Sequence, residues 1–280
     1  MSKAKPIIKW VGGKTKLITH LNENLPKEFN NYFEPFVGGA SVILEMLSKD
    51  VQEGTREYTI SDINDNLINT YQVVQKNLDE LITELAKEKY ANNLESYTSN
   101  RVRYNSIKSE NNDNVERAAL FIYLNKCGYN GMYRENSKGG YNIPFGKMNN
   151  PKICDVDTLR KFSTSVQKVT IECAGYNEIM ESTEKHDFVY LDPPYDGDNN
   201  KMFTDYTNNS FGRTQQKELK EFVDALTEKG VHVMISNSAT EFIKELYSEY
   251  NIKYLTTKYS IGGKDVKRDN KKEEVLITNY

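Results

Sequence analysis

Tyr32-Phe33-Glu34-Pro35-Phe36-Val37-Gly38-Gly39 is a short, mostly apolar run that stops on two glycines. Such a run, bounded by turn residues, reads as a buried strand, here over 32–36. From Ala40 to Leu47, residues Val42, Ile43, Leu44, Met46 and Leu47 supply the core positions of a helix. Tyr58-Thr59-Ile60-Ser61-Asp62 is a second strand that ends on an acid, and Asn64 opens a helix carrying Leu67, Ile68 and Tyr71. Strand, glycine turn, helix, strand, acid is the order of a nucleotide-binding βαβ unit. Glycines after the first strand let a ligand approach the backbone. An acid at the end of the second pairs well with a ribose hydroxyl. Each feature has a plainer reading, a tight turn for Gly38-Gly39 and a helix N-cap for Asp62. Their pairing favours a nucleoside-bearing cofactor.

Upstream, Pro6 to Val11 is a short apolar stretch before Gly12-Gly13, with a helix expected to start near Lys14. Downstream of about residue 73 the alternation stops. Residues 76–110 are polar and helix-prone, and 115–126 form a better helix through Ala119, Ile122 and Tyr123. Residues 127–147 hold five glycines among Tyr129, Tyr133, Tyr141 and Phe145, too many for a stable helix. They suit a β-hairpin or a shaped loop. The α/β pattern returns with strands at 169–171, 188–191 and 231–236. Leu219, Phe222, Val223 and Leu226 mark an amphipathic helix over 214–229. Ser238 and Glu241 read as a capping-box pair opening a last helix, and strands near 252–258 and 274–279 as a terminal hairpin. The Asn- and Asp-rich stretch 196–212 reads as a mobile loop. The division that follows is a discontinuous domain, 1–72 with 151–280, interrupted by an insertion over 73–150.

The chain has 280 residues and a net charge of −3, so a global basic signal for nucleic acid is absent. Charge is local instead. Residues 1–20 carry five lysines and no acid, and residues 258–272 carry a net +4. Phosphate contacts need only local positive charge. Cys127, Cys154 and Cys173 are scattered, as are the three histidines, and no spacing suggests a metal site. Reduced thiols in a cytoplasmic protein are the simplest reading. No apolar run reaches the ~18 residues of a membrane span.

The strongest chemical signal is Asp192-Pro193-Pro194-Tyr195, which follows the apolar strand Phe188-Val189-Tyr190-Leu191. Open α/β sheets bind ligands at the carboxyl ends of their strands. Two prolines fix φ and remove two donors, leaving a stiff loop whose carbonyls are free to accept. A carboxylate, an aimed carbonyl and an aromatic face can grip a flat ring bearing an amine. Adenine N6 is a poor nucleophile because its lone pair is delocalised. The Asp192 carboxylate and the Pro193 carbonyl can accept its two hydrogens and aim the lone pair at an electrophilic methyl, with Tyr195 stacked on the base. No general base of raised pKa stands out, and none is needed if the proton leaves to water. A base in a duplex must first leave the helix. Gly12-Gly13-Lys14-Thr15 is not a phosphate loop: Ile8 stands where that motif needs glycine, and no long strand leads in.

These motifs occur in one order: Lys9-Trp10-Val11-Gly12-Gly13-Lys14, Phe33 to Gly39, Ser61-Asp62-Ile63-Asn64, Asn130-Gly131-Met132-Tyr133-Arg134, Asn142-Ile143-Pro144-Phe145-Gly146, Asp192 to Tyr195 and Ile235-Ser236-Asn237. Over nearly its whole length the chain resembles DNA adenine-N6 methyltransferases of the Dam type, with the motif order of the α group. The resemblance implies an α/β, Rossmann-like S-adenosylmethionine-dependent methyltransferase sheet with helices on both faces. It also implies an inserted, mainly helical DNA-recognition domain with a β-hairpin. S-adenosylmethionine would be the donor and S-adenosylhomocysteine the product, with no metal. Trp10, Lys14, Phe36, Gly38, Gly39, Asp62 and Asp192 would contact the cofactor, and Asp192, Pro193 and Tyr195 the target base. Arg134 would bind a guanine edge, where its planar fork matches O6 and N7. Lys9, Tyr129, Asn130, Met132 and Pro144 would lie nearby. Arg101, Lys126, Asn136, Asn142 and Lys147 would meet phosphates.

The implied partner is double-stranded DNA read by a cytoplasmic, nucleoid-associated monomer. GATC is the first choice of site and a longer GAT-containing site the second. A restriction endonuclease would be a functional, not a physical, partner. Ala40 departs from the further glycine of close relatives, Met132 from leucine, and Lys258-Tyr259 from arginine. The rival readings are an amino-methyltransferase acting on RNA or protein and an inactive DNA-binding homologue.

Overall fold

A computed structural model describes residues 3–49, 56–108, 114–197, 211–258 and 271–280. Seven strands form one sheet in the order β3-β2-β1-β4-β5-β7-β6. They are β1 (Tyr32–Glu34), β2 (Tyr58–Asp62), β3 (Val169–Cys173), β4 (Phe188–Leu191), β5 (His232–Ser238), β6 (Asn251–Lys258) and β7 (Lys271–Thr278). The first five pair in parallel. β7 runs antiparallel to both β5 and β6, so the chain's closing hairpin inserts its second strand inside the sheet.

Strand alternation builds two cores. Tyr32, Phe188, Tyr190, Met234 and Leu276 belong to the apolar cluster on one face. Their neighbours Phe33, Val189, Leu191, Ile235 and Ile277 belong to the cluster on the other. A period of two sends successive side chains to opposite faces, and β4, buried throughout, needs both covered. One face carries α2 (Ser41–Lys49), α3 (Asp65–Lys76) and α7 (Val156–Ser165); the other carries α8 (Arg213–Glu228) and α9 (Glu241–Leu246). Before β1 lie a single 3-10 turn over Lys14–Lys16 and the short helix α1 (Ile18–Glu23).

Residues 73–150 form α4 (Leu78–Leu85), α5 (Leu94–Ile107), α6 (Val115–Cys127) and an irregular segment. α3 runs unbroken across position 72, and α6 is apolar on nearly every side and packs on α3, α4 and α5. Of the two readings of 127–147, hairpin or shaped loop, the structure has the loop, and the β-hairpin that the resemblance implied is not formed there. Only two isolated bridges cross it, Gly128 to Phe145 and Glu135 to Tyr141. Tyrosine hydroxyls fasten this loop from below: Tyr97 donates to the Ile143 carbonyl at 3.0 Å and Tyr141 to the Met132 carbonyl at 3.2 Å.

Two local expectations change. α9 is capped by Thr240, whose hydroxyl accepts from the Ile243 N–H at 3.3 Å; Ser238 ends β5 and donates to the Asp196 carbonyl instead. α7, to which the sequence patterns assign no element, is capped by Asp155, which accepts from the Thr158 N–H. Most of the loop expected over 196–212 and of the basic stretch 258–272 lies outside the described residues. Among the described residues, no helix is long and apolar enough to cross a membrane.

Candidate active site

β1 and β4 are neighbours, and from them the connections leave in opposite directions, β1 toward β2 and β4 toward β5. The crevice at such a switch point is where open α/β sheets bind ligands. Three loops and one N-terminal lysine converge there.

From β1 comes Phe36 to Gly39. Gly38 has φ +43, and a Cβ there would lie 2.8 Å from the Trp10 indole, so the glycine is required by packing as well as by backbone. The indole in turn stacks on Tyr133 at 5.6 Å between centroids, joining this turn to the 127–147 loop. Phe36 stacks on Tyr176 at 5.6 Å, edge-on to Phe211. Ala40 has φ +60, a left-handed conformation in which Cβ crowds the carbonyl oxygen.

From β2 comes Asp62. Its carboxylate accepts the Gly38 N–H at 3.1 Å and the Asn64 N–H at 3.0 Å, while Asn64 itself caps α3 by accepting from the Leu67 N–H. Burial raises the Asp62 carboxyl to about 6, against those backbone hydrogen bonds. Beside it Ile63 holds an apolar side chain 66% exposed. A carboxylate next to a bare apolar surface suits a nucleoside, with hydroxyls for the first and a ring face for the second.

From β4 comes the tetrapeptide. Asp192 Oδ2 receives the Lys14 ammonium at 2.7 Å; the same ammonium donates to the Gly12 carbonyl at 2.6 Å and stands 4.7 Å from the centre of the Tyr195 ring. Asp192 Oδ1 is buried with no hydrogen-bond partner among the described residues. An unmatched buried acceptor costs about 1–3 kcal/mol, so the atom is set for a donor from a ligand. Burial raises the Asp192 carboxyl to about 6, Lys14 opposing that rise. Glu34, at the end of β1, lies close enough for its charge and that of Asp192 to interact. Burial first, then Asp192, lifts it to about 8 although Tyr32 donates to it at 2.8 Å. Glu34 is therefore largely uncharged at neutral pH, which leaves Asp192 as the anion facing Lys14.

Polar side chains hold the tetrapeptide from the other face. Gln216 of α8 donates to the Pro194 carbonyl at 2.8 Å, and Asn237 of β5 donates to Gln216 at 3.1 Å. Asn237 also accepts from the Asp196 N–H at 3.1 Å, and Asp196 meets Thr240 at 2.7 Å and Arg213 at 3.2 Å. Among the described residues no hydrogen bond ends on the Pro193 carbonyl.

The residues expected on the DNA side divide by role. Arg134 and Pro144 are exposed, as are Tyr129, Asn130 and Lys147. The Arg134 guanidinium is aimed by Asn142, whose side-chain oxygen accepts its Nε–H at 2.8 Å. Asn136 Oδ1 accepts the Lys138 and Gly140 N–H groups, so this side chain builds the tip of the loop. Arg101 is half-buried and donates to the Ile143 carbonyl at 3.2 Å, beneath that loop. Lys126 is half-buried, its ammonium pKa lowered by burial against the pull of Asp155. The Lys9 side chain lies across Gly131 (φ +65), where a Cβ would meet it at 2.6 Å, and its backbone is clamped by Asn125 at 2.9 Å. Met132 is partly buried against the core. Sequence reasoning gave no role to Ile63, Gln216, Asn237 or Glu274. The motifs containing Ile63 and Asn237 offered a signal for those two; Gln216 and Glu274 lie outside every motif.

The model of the D12 class N6 adenine-specific DNA methyltransferase family matches residues 10–261. Among curated proteins, the chain is similar to the Type II methyltransferase M.MjaIII of Methanocaldococcus jannaschii, with 38% identity covering 99% of this chain and 100% of that one. It is 34% identical to the DNA adenine methylase of Escherichia coli (strain K12), covering 100% of this chain and 96% of that protein. The DNA adenine methylase of Haemophilus influenzae is 32% identical, with 98% of this chain and 94% of that one covered.

Proposed function

Because the chain belongs to the D12 class N6 adenine-specific DNA methyltransferase family, we propose that it uses S-adenosylmethionine to methylate N6 of an adenine turned out of double-stranded DNA, within GATC. The observation that carries the reading is Asp192 Oδ1, a buried acceptor with no partner among the described residues, beside a Pro193 carbonyl on which no hydrogen bond from a described residue ends. Two acceptors on one stiff loop match the two hydrogens of an exocyclic amine.

When bound, S-adenosylmethionine supplies an electrophilic methyl group on sulfur. The chain's residues do the rest. Asp62 offers its carboxylate to ribose hydroxyls, Ile63 and Phe36 offer apolar faces to a base, and Lys14 offers charge to a carboxylate. Asp192 and the Pro193 carbonyl hold the N6 hydrogens and turn the nitrogen lone pair outward, an alignment that contributes through proximity. Tyr195 gives the extruded base a face to stack on, as base-flipping enzymes require. The N6 proton passes to Asp192 or to water; a carboxyl raised to about 6 is better suited to receive it than an ordinary one.

Residues 73–150 form the insertion that reads DNA in this account. Arg134 reads one guanine, and Lys147, Lys126 and Arg101 lie toward phosphates. The enzyme acts as a cytoplasmic monomer, and a restriction endonuclease is a partner in function only. Expression in a methylation-free host, followed by mapping of modified bases, tests the reading. N6-methyladenine at every GATC is the expected result. Methylation of another base, or an unmodified genome from soluble protein, overturns it.

A further inference from the structure

Glu274 lies in β7 beside Val275, Leu276 and Ile277, each no more than 1% exposed. It is itself 3% exposed, opposite Ser238 of β5 and Leu255 of β6. A carboxylate so placed costs several kcal/mol in desolvation unless its partners are good. An apolar residue of similar volume would pack there at no such cost. Among its interactions, the carboxylate accepts a hydrogen bond from the Tyr195 hydroxyl at 3.1 Å.

Tyr195 is thereby held at two points. Glu274 takes its hydroxyl, and the Lys14 ammonium lies over its ring, anchored in turn by Asp192 and Gly12. A ring tethered at its para oxygen and held on its face loses freedom at both χ1 and χ2. That matters for stacking, which contributes about 1–3 kcal/mol per base only when the planes lie parallel. The two residues are 79 positions apart in sequence, so the tie is a product of the fold.

We propose that Glu274 is a positioning residue that sets the plane of the Tyr195 ring against which the extruded adenine is held. This deepens the function proposed above and rests on it. Glu274 acts on the base through the Tyr195 hydroxyl, and its charge also lies near enough to push the Asp192 carboxyl up.

The test is a double-mutant cycle of Tyr195→Phe and Glu274→Leu on the full chain, with Glu274→Gln as the conservative variant. Three readouts are taken on a GATC duplex with the donor present: single-turnover methylation rate, DNA dissociation constant, and permanganate reactivity of the thymine opposite the target adenine. Glu274→Leu is expected to lower the rate about tenfold and the thymine reactivity with it, with the dissociation constant changed by less than about twofold. Glu274→Gln recovers most of the loss, because an amide oxygen still accepts from the hydroxyl. The double variant is no slower than Tyr195→Phe alone. Losses that multiply, a Gln variant as slow as the Leu variant, or a loss confined to DNA affinity each overturn the proposal.

Should Glu274→Leu fail to fold, Tyr195→Phe decides alone, since a wild-type rate without the hydroxyl sinks the idea. A wild-type protein that leaves adenine unmethylated removes the function instead. The coupling is then read from the same cycle in urea unfolding, where independent losses refute it.

Discussion

In the proposed function the Asp192–Tyr195 turn and the Gly128–Lys147 loop both present side chains to a ligand, and they are built on opposite principles. The first is stiff and inward. Prolines fix its backbone, Gln216 and Asn237 tie it from behind, and its carboxylate is buried with one oxygen unmatched among the described residues. The second is outward and assembled from turns, with two isolated bridges and Asn136 closing its tip, and it lifts Arg134 into solvent. Desolvation tunes a group that must do chemistry, because burial shifts its protonation. Presentation suits a group that must read a surface, because a hydrated guanidinium keeps its charge and its fork geometry.

The sharpest way to break this contrast is Asp192→Ala. It should lower methyl transfer by about 10²–10³-fold or more while duplex binding largely survives, since preorganised contacts at the reacting atom dominate rate. Gel-shift and single-turnover assays on one preparation decide it; retained turnover removes the assigned role. Arg134→Ala should act on the other side. It costs about 1–3 kcal/mol of discrimination at one guanine and spares the rate on the preferred site at saturation. An equal loss on every sequence would make Arg134 a phosphate contact.

Acidity separates the two regions next. Asp192 must be ionised to accept, and its carboxyl is raised to about 6, burial outweighing the opposing Lys14 charge. The rate should therefore fall as pH drops through about 6, by roughly tenfold at one unit below, while discrimination at the guanine stays flat. Lys14→Gln removes the opposing charge and should move that midpoint upward. A rate profile flat to about pH 5 would contradict the buried carboxylate.

Lys147→Ala should weaken binding to all duplexes alike and reduce the log–log salt slope by about 1. A change in sequence preference would give Lys147 a reading role. Ala40→Gly has the smallest expected effect. Relief of left-handed strain is worth about 1–2 kcal/mol and the lost methyl burial about 0.8, leaving a gain near 0.5 kcal/mol in urea unfolding. A loss of stability would place the methyl above the strain.

Much of the sheet was legible because its strands are short apolar runs bounded by glycine, proline or an acid. Tyr58 to Asp62 and Phe188 to Leu191 have the predicted bounds. The turn after β1 was legible as glycine-rich, though not as the seat of Trp10. α7 escaped notice because its buried positions are only Leu159, Phe162 and Ser163. The cap of α9 was misplaced because Ser238 and Thr240 offer equivalent hydroxyls, and Asp196, 42 residues away, claims the first. Within the site, the carboxylates were visible as residues at strand ends. Their partners were not: Lys14 reaches Asp192, and Glu274 reaches Tyr195, across distances in sequence that no local pattern spans. The fine structure of the 127–147 loop was illegible for a related reason. Its shape is fixed by polar side chains from other elements, Tyr97 and Asn125, together with its own Tyr141 and Asn136, not by its own period.

Trp10 is the chain's single tryptophan, and its indole sits between the glycine turn after β1 and Tyr133 of the outward loop. Nineteen tyrosines can pass excitation to that one acceptor, so the protein's intrinsic emission is the optical record of a single junction. A small molecule that displaces the indole and a duplex that tugs on Tyr133 would write to the same channel, with no label added.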